Sequence, residues 1–497
     1  MGTRIHREIH VSRASQVAGI ALMGLMLAAA PHGVSRGGAN APANAAAPAP
    51  GSVPATAQVG VDSLVILSTT DVIGKTSPCG CHTPKGGLAR QSAFADSLRR
   101  RYANLLWVDN GNFSPEDELH EGAAWFLISA MKTQRLDAVC VGDHDLRFGL
   151  AVLRERARAA KLPLLSANLE LKATHQPAFQ RTLIKQVGPA KVGVFGVMTD
   201  AADLGPARDS LIATDPALAA KAAVADLRKQ GATVIVMLSQ LGKVGAEDLV
   251  STVDGIDAAI VGRGVPLVAG GRRIKNTLLV YGGEQGQFMG VTRLALDGRG
   301  FAASSWSDMA MLGPAIATEP EMARRVQVFE DAFNERMRQA EKARAASLGL
   351  SSQRYQPEHF VGNEVCARCH QQQAQQWDGT PHARAWRTLV ERKKDATPDC
   401  VPCHVVGFGR PGGFVTVDVT PKMTNVGCEN CHGMGTDHDS AIGRTTHRSV
   451  PETVCRGCHD ATSSPEFDFA QFRTYVDHSH AFGDLPPLKS ASPMKSM

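Results

Sequence analysis

The chain has 497 residues, a formal net charge of +5 and charged side chains at 20% of its positions. At roughly 150 residues per domain, this length predicts two or three domains, each large enough to bury its own core. The charge is too small and too evenly spread for a basic stripe or an acidic tail, which excludes nucleic acid as a partner.

The first thirty residues have the pattern of an export signal. Three arginines precede an apolar run of 14 residues, Val17 to Ala30, which ends in small side chains. A bilayer span needs roughly 20 apolar residues, so we expect residues 1–30 to be a cleaved signal peptide, with a membrane tether only if the signal stays uncleaved. Residues 31–60 are dominated by Ala, Pro, Gly and Asn, and predict a disordered linker. The predicted location is therefore periplasmic or secreted.

Residues 61–312 alternate between short β-rich runs and helical stretches, which predicts an α/β layered domain. The expected strands include Leu64–Ser68, Leu105–Val108, Ala138–Val141, Val192–Val197, Thr233–Leu238 and Ala258–Val261, and the expected helices include Leu88–Arg101 and Leu218–Lys229.

A long helix is predicted next, because charged and apolar residues alternate at helical spacing from Glu319 to about Ala346. We interpret residues 313–358 as a helical linker. It leads into a cysteine-rich domain, residues 359–497.

Eight of the eleven cysteines lie between Cys366 and Cys458, in four Cys-x-x-Cys-His motifs. Two thiols at this spacing can add to the vinyl groups of one porphyrin, and the next imidazole can ligate its iron. Structural zinc is the alternative, but zinc does not need a histidine after every second cysteine. The motifs predict four covalent haem c groups. The attaching cysteines are Cys366 and Cys369, Cys400 and Cys403, Cys428 and Cys431, and Cys455 and Cys458; the proximal ligands are His370, His404, His432 and His459.

The segments Phe360–Cys366, Trp377, Thr380–Ala383, Cys403–Phe408 and Gly427–Gly433 resemble the tetrahaem cytochrome c family that accepts electrons from hydroxylamine oxidoreductase. The resemblance implies a mostly α-helical domain in which most irons take a second histidine and one haem is five-coordinate. It also implies redox proteins or quinol-linked donors outside the cytoplasmic membrane as partners. The matching distal histidines are His382, His438 and His478, whereas His447 and His480 are left open between ligand and surface residue, and His359 is interpreted as a surface residue.

A second resemblance covers residues 61–312 and concerns the calcineurin-like metallophosphoesterases, specifically their exported 5′-nucleotidase branch. It implies a metallophosphoesterase-like α/β fold, although a fold alone does not establish an activity. The matching segments are Ser68–Asp71, Gly86–Arg90, Asp109–Asn112, Gly142–Asp145 and Leu238–Gly242.

Most positions that hold the two metals in that family are changed here. Only Asp71 and His144 keep the family residue, while Ile73, Asn112, Asp143, Gln240 and the segment Gly262–Val265 replace the others. Two-metal hydrolysis needs several converging carboxylates and imidazoles, and neither isoleucine nor valine can ligate a cation. We therefore expect a vestigial site at Asp71 and His144, without a divalent metal and without hydrolytic activity.

One further loop contains candidate reactive side chains. Cys79 and Cys81 follow the first strand in the sequence Ser77-Pro-Cys-Gly-Cys-His82. The pair is a candidate for a redox-active dithiol, a mononuclear metal site or a local disulfide. Redox chemistry needs a lowered thiol pKa, and we expect His82 and Lys85 to supply the positive charge that lowers it. Cys140 lies in an apolar strand and is interpreted as a buried thiol.

Three functions compete on these grounds. The favoured one is an exported multihaem electron carrier whose N-terminal domain serves for docking or binding. The first alternative is a redox enzyme that uses Cys79 and Cys81, with the haems as electron conduit. The second is an active phosphoesterase fused to a cytochrome, against which the changed ligand positions argue.

Overall fold

The computed structural model describes residues 63–79, 83–347, 358–436 and 449–478. The predicted signal peptide and linker, together with Cys81 and the distal candidate His438, lie outside these ranges, as do His447 and His480. Within the described residues, no helix combines the length and the apolar character needed to cross a membrane.

The N-terminal part has two sheets packed face to face, with helices on both outer sides. The described strands are β1 (Ser63–Thr69), β2 (Leu105–Asp109), β3 (Ala138–Cys140), β4 (Leu164–Leu165), β5 (Leu169–Leu171), β6 (Thr182–Val187), β7 (Ala190–Met198), β8 (Leu211–Ala213), β9 (Val234–Gln240), β10 (Ala258–Val261), β11 (Val268–Ile274), β12 (Thr277–Tyr281), β13 (Phe288–Leu296) and β14 (Ala302–Met311).

The first sheet has the order β14-β13-β1-β2-β3-β4 and the second the order β11-β12-β10-β9-β7-β6, while β5 and β8 form a separate pair. The strands β1 to β4 are parallel, as are β7, β9, β10 and β12. Antiparallel strands extend the first sheet beyond β1 and flank the second sheet on both edges. The predicted α/β layered fold is confirmed, whereas the antiparallel strands were not predicted.

The helices of the described residues are α1 (Leu88–Arg101), α2 (Glu121–Gln134), α3 (Leu150–Ala160), α4 (Pro216–Lys229), α5 (Gly242–Thr252), α6 (Pro320–Ser347), α7 (Asn363–Ala367), α8 (Gln371–Asp378), α9 (Ala385–Glu391), α10 (Cys428–His432), α11 (Glu452–Arg456) and α12 (Phe469–Arg473). Short 3₁₀ helices lie at Glu118–His120, His144–Leu146, Gly205–Asp209, Glu284–Gly286, Pro381–Arg384, Val401–His404 and Pro421–Met423.

Side-chain alternation along β1 explains the layers. Leu64 and Ile66 are buried between the two sheets, whereas Val65 and Leu67 belong to the apolar cluster under helices α1, α2, α3 and α6. Successive residues of a strand point to opposite faces, so one strand of this composition is buried on both sides. The carboxyl ends of β1, β2, β3, β9 and β10 bring together Asp71, Asn112, Asp143, Gln240 and Arg263.

The C-terminal part contains six short helices and little apolar core among its described residues. Its buried apolar cluster consists of Phe360, Leu389, Val401, Val405, Val406, Phe414 and Met423. So few buried side chains are insufficient for a domain of this length, because small domains depend on cofactors or cross-links to make up their core.

Helix α6 contacts both parts of the chain. Met322 and Val326 near its start belong to the apolar cluster of the first sheet. Farther along, Asn334 donates from Nδ2 to the carbonyl oxygen of Lys393 at 2.7 Å and accepts from Thr397 at 3.0 Å. The helix therefore fixes the segment that precedes the second Cys-x-x-Cys-His motif against the α/β part.

Candidate haem sites and the vestigial metal site

The cysteine-rich part, helix α6 and the loop after β1 together line a cavity of about 2000 Å³. Because a pocket for one small ligand measures roughly 300–1,000 Å³, this cavity has room for several cofactors. All four motifs contribute to its wall; Cys369 is exposed and does not line it. The motif residues that line the cavity are Cys366, His370, Cys400, Cys403, His404, Cys428, Cys431, His432, Cys455, Cys458 and His459.

Short helical turns give the motifs their local geometry. The backbone N–H of His370 donates to the carbonyl oxygen of Cys366 at 2.9 Å, and that of His459 donates to Cys455 at the same distance. Such a turn places the histidine one turn after the first cysteine, which is the spacing that would let the imidazole ligate the iron of a haem attached at the motif.

The four motifs associate in two pairs. The Cys366 and Cys428 thiols lie within hydrogen-bonding reach of each other, and so do the Cys403 and Cys458 thiols. The first motif therefore adjoins the third, and the second adjoins the fourth. Cofactors attached at these cysteines would lie in two close pairs.

Two of the predicted distal histidines lie close to proximal ones, and all four histidines line the cavity. The ring centroids of His432 and His478 are 5.7 Å apart at an interplanar angle of 41°, and those of His382 and His459 are 6.1 Å apart at 50°. With metal–imidazole bonds of roughly 2 Å, two imidazoles on opposite sides of one iron have centroids roughly 6 Å apart. Both pairs have the separation that one iron between them requires.

Neighbouring groups affect the tautomer of His404, the ring packing of His459 and the protonation state of His382. His404 Nδ1 lies 2.6 Å from the carbonyl oxygen of Ala385, which only accepts, so Nδ1 carries the hydrogen and Nε2 is left for a metal. His459 stacks on Phe467 with ring centroids 4.5 Å apart. The pKa of His382 is lowered to about 4, chiefly by burial and further by His459 and His404. A neutral imidazole is the form that binds iron.

The positions that match the metal ligands of the phosphoesterase family are joined by a network of internal hydrogen bonds. Asp71 Oδ2 accepts from the backbone N–H of Arg263 at 2.8 Å and from Thr70 Oγ1 at 2.9 Å, and Asn112 Nδ2 donates to Gln240 Oε1 at 3.0 Å. Burial raises the pKa of Asp71, although these hydrogen bonds oppose the rise. The retained aspartate is thus engaged by protein donors.

An arginine side chain also enters this site. Arg263 Nη2 forms an ion pair with Asp143 Oδ2 at 3.1 Å, and the backbone N–H of His144 donates to Asn112 Oδ1 at 3.1 Å. A guanidinium charge beside the remaining carboxylates repels a divalent cation. Among the described residues, no group of three or more His, Cys, Asp or Glu is placed to hold a metal ion.

Two further aspartates are buried behind the site. Thr69 donates to Asp109 at 2.5 Å, and Asp145 accepts backbone N–H groups from Asn112, Gly142 and Ser114 at 2.9–3.0 Å. Burial raises the pKa of Asp109 and that of Asp145 to about 7. Both carboxyl groups organise loops through hydrogen bonds.

The Cys79 loop reaches the haem cavity, which the sequence did not reveal. Cys79 and Lys85 exchange backbone hydrogen bonds at 2.8 Å, and Cys79 lines the same cavity as Cys400. Burial raises the pKa of the Cys79 thiol more than the nearby Lys75 and Lys394 lower it. The expectation of a lowered pKa for this thiol is therefore wrong, since desolvation outweighs the positive charges.

Sequence reasoning also missed the contact partner of this loop. Lys75 Nζ lies 2.7 Å from Asp399 Oδ2, and Thr76 donates to Glu330 of α6 at 3.0 Å. These residues are far apart in the chain and belong to no motif, so no sequence signal distinguishes them from ordinary surface charges.

Comparisons with known proteins agree with a division of the chain into an α/β part and a cysteine-rich part. Residues 365–433 match the family Cytochrome c554 and c-prime. Cytochrome c-554 of Nitrosomonas europaea is 42% identical over 91 residues, which cover 15% of this chain and 39% of that protein. The resemblance of the C-terminal part is confirmed, and it supports covalently bound haem c and electron transfer.

The α/β part is similar to Protein UshA of Yersinia enterocolitica, with 31% identity over 169 residues that cover 31% of this chain and 30% of that protein. The 5′-nucleotidase precursor from Thermus thermophilus superposes with a TM-score of 0.49 at 21% identity, covering 54% of this chain and 59% of that one. The chain thus spans less than two thirds of the length of each of these relatives. The resemblance of the N-terminal part is confirmed at the level of sequence.

Proposed function

We propose that this chain is an electron-transfer protein that binds four haem c groups outside the cytoplasmic membrane. The observation that carries the proposal is the single cavity lined by residues of all four motifs, with imidazole pairs about 6 Å apart. Each Cys-x-x-Cys-His motif attaches one haem through two thioethers and supplies its proximal histidine. The redox partners are proteins or quinol-linked donors.

The imidazole pairs support specific axial ligands. His382 is opposite His459 and His478 is opposite His432, which leaves His438 for the iron of His370 or of His404. Two histidines per iron favour low potentials. Close haem pairs would give fast electron exchange within the domain.

The experiment is intact-mass measurement of the purified holoprotein. We expect four haem additions, and loss of one covalent attachment site in Cys400→Ala. Cys140→Ala is the matched control, because that thiol is buried in the α/β part beside the carbonyl oxygen of Leu238 and should leave the haem mass unchanged. A zinc-sized addition, or fewer than three haems, contradicts the proposal.

We further propose that the α/β domain is hydrolytically inactive and serves for docking or binding. The Arg263–Asp143 ion pair and the hydrogen bonds of Asp71 support this, because they engage the positions that the metals need. Phosphate release from nucleotides with added Mn²⁺ should equal that of a sample without protein. Metal-dependent release that is lost in Asp71→Asn would establish the phosphoesterase instead.

A redox enzyme that uses Cys79 and Cys81 is the second candidate, and the position of Cys79 in the haem cavity favours it. Oxidation of two thiols to a disulfide releases two electrons and two protons, and the electrons would pass to two haems. The haems should be reduced with a donor that does not attack disulfides, and free thiols should then be labelled. If no label reaches Cys79 or Cys81 while the haems are reduced, this candidate is rejected.

A further inference from the structure

The α/β domain meets the haem domain beside the second haem-attachment motif. Lys75, in the loop after β1, donates from Nζ to Asp399 Oδ2 at 2.7 Å, and Asp399 directly precedes Cys400. Glu330 of α6 accepts from Lys394 at 2.7 Å on the same side. One ion pair therefore joins the haem domain to the α/β domain and another joins it to α6, both within a few residues of the cysteine that would form a thioether.

The Lys75–Asp399 pair is charged at neutral pH. Burial alone would lower the pKa of Lys75, but the hydrogen bond and charge of Asp399 raise it above its ordinary value. Burial would likewise raise the pKa of Asp399, but Lys75 holds it below its ordinary value, assisted by His120 and Lys394. The pair thus places a full positive and a full negative charge at the domain boundary.

This pair is close to the attachment point of one particular haem. Lys75, Asp399, Cys400 and Cys403 all line the haem cavity. The Cys400 thiol is near enough to contribute to the raised pKa of Lys75. A haem attached at Cys400 would have its edge at that cysteine, so both charges of the pair would lie near that edge.

We propose that Lys75 of the α/β domain is a positioning residue that sets the reduction potential of the haem bound by Cys400 and Cys403, by neutralising Asp399 at its edge. The inference rests on the proposed function, because it requires a haem at this motif. Reduction adds one electron to the iron and removes one positive charge from the haem. An unpaired Asp399 would stabilise the oxidised form, whereas an unpaired Lys75 would stabilise the reduced form.

The test is a redox titration of the holoprotein in which each haem is followed by electron paramagnetic resonance. Lys75→Gln should lower the potential of one haem and Asp399→Asn should raise it. Each shift should change the reduced-to-oxidised ratio at a fixed ambient potential by about tenfold, equal to about 59 mV for one electron. The double variant and Lys75→Arg should titrate close to the original protein.

The opposite signs of the two expected shifts in potential distinguish an electrostatic role of Lys75 from a purely structural one. If the pair only holds the domains together, both single variants and the double variant would shift the potential in the same direction. Lys275→Gln is the control, because Lys275 forms an exposed 3.0 Å pair with Asp254 and neither residue lines the cavity. It should leave every potential unchanged.

Failure of the inference differs from failure of the proposed function. Unchanged potentials in Lys75→Gln and Asp399→Asn, or shifts of equal sign, overturn the role of Lys75 while four haems are still found by mass. Absence of a haem at Cys400 and Cys403 in the original protein overturns the proposed tetrahaem function instead.

Discussion

His382 and His459 both line the haem cavity with ring centroids 6.1 Å apart, although His459 belongs to the last motif and His382 to the segment between the first two. Burial in this position keeps His382 neutral, with its pKa lowered to about 4. The distal ligand of one proposed haem therefore comes from a part of the chain distant from its attaching cysteines, and its replacement has a defined consequence.

In His382→Met, the iron of His459 should change from bis-histidine to histidine–methionine ligation. A thioether stabilises the reduced iron relative to an imidazole, so the potential of that haem should rise. Electron paramagnetic resonance combined with a redox titration measures both changes. His359→Met is the control, because His359 does not line the cavity, and an unchanged spectrum in His382→Met contradicts the assignment.

His478→Met should alter a different haem, the one whose proximal ligand is His432. The rings of His478 and His432 are 5.7 Å apart, whereas His459 faces His382. The double variant of His382 and His478 should show both altered signals together. If the two single variants change the same signal, the pairing of distal with proximal histidines is wrong.

The cysteine-rich part should not fold without its haems. Among its described residues, the buried apolar cluster contains seven side chains, and the cavity that this part lines measures about 2000 Å³. A chain with all eight motif cysteines replaced by alanine should exchange amide hydrogens rapidly in residues 358–478, while strands β1, β2, β7 and β9 stay protected. Protection of both parts would show that the haems are not needed for folding.

Stability of the α/β part should fall as the pH rises through neutrality. Burial raises the pKa of Asp109 from 3.8 to about 7, so the folded state binds a proton that the unfolded state releases. The stabilising contribution is complete below about pH 4 and is lost by the time the pH passes about 7, with a size on the order of 1–4 kcal/mol.

Asp109→Asn should reduce this pH dependence and leave the part that is due to Asp145, whose pKa is also raised to about 7. The fold should tolerate the change, because an amide oxygen can still accept from the backbone N–H of Gly111, which lies 2.9 Å from the carboxylate. Urea unfolding at pH 5 and pH 8, followed by circular dichroism, measures the difference. The exposed Asp254→Asn serves as control. If the free energy of unfolding changes by the same amount between pH 5 and pH 8 in Asp109→Asn and in the original protein, the raised pKa of Asp109 is contradicted.

The features that the sequence predicted correctly depend on residues that lie close together in the chain. The spacing of Cys428, Cys431 and His432 specifies haem attachment because all three side chains lie within one helical turn. Short β-rich runs likewise predicted β1 and β2, and a helical stretch predicted α1 with the bounds observed, Leu88–Arg101. The substitutions Asn112, Gln240 and Arg263 were visible as lost metal ligands without any coordinates.

Only the tertiary structure decided which distant residues meet. The sequence supplied His382 and His478 as candidate ligands through a family resemblance, but their proximal partners depend on how the short helices pack around the cavity. The same holds for Lys75 and Asp399, which are separated along the chain by 324 positions and carry no motif. Their approach is set by the packing of α6 between the two domains, and such long-range packing leaves no local spacing in a single sequence.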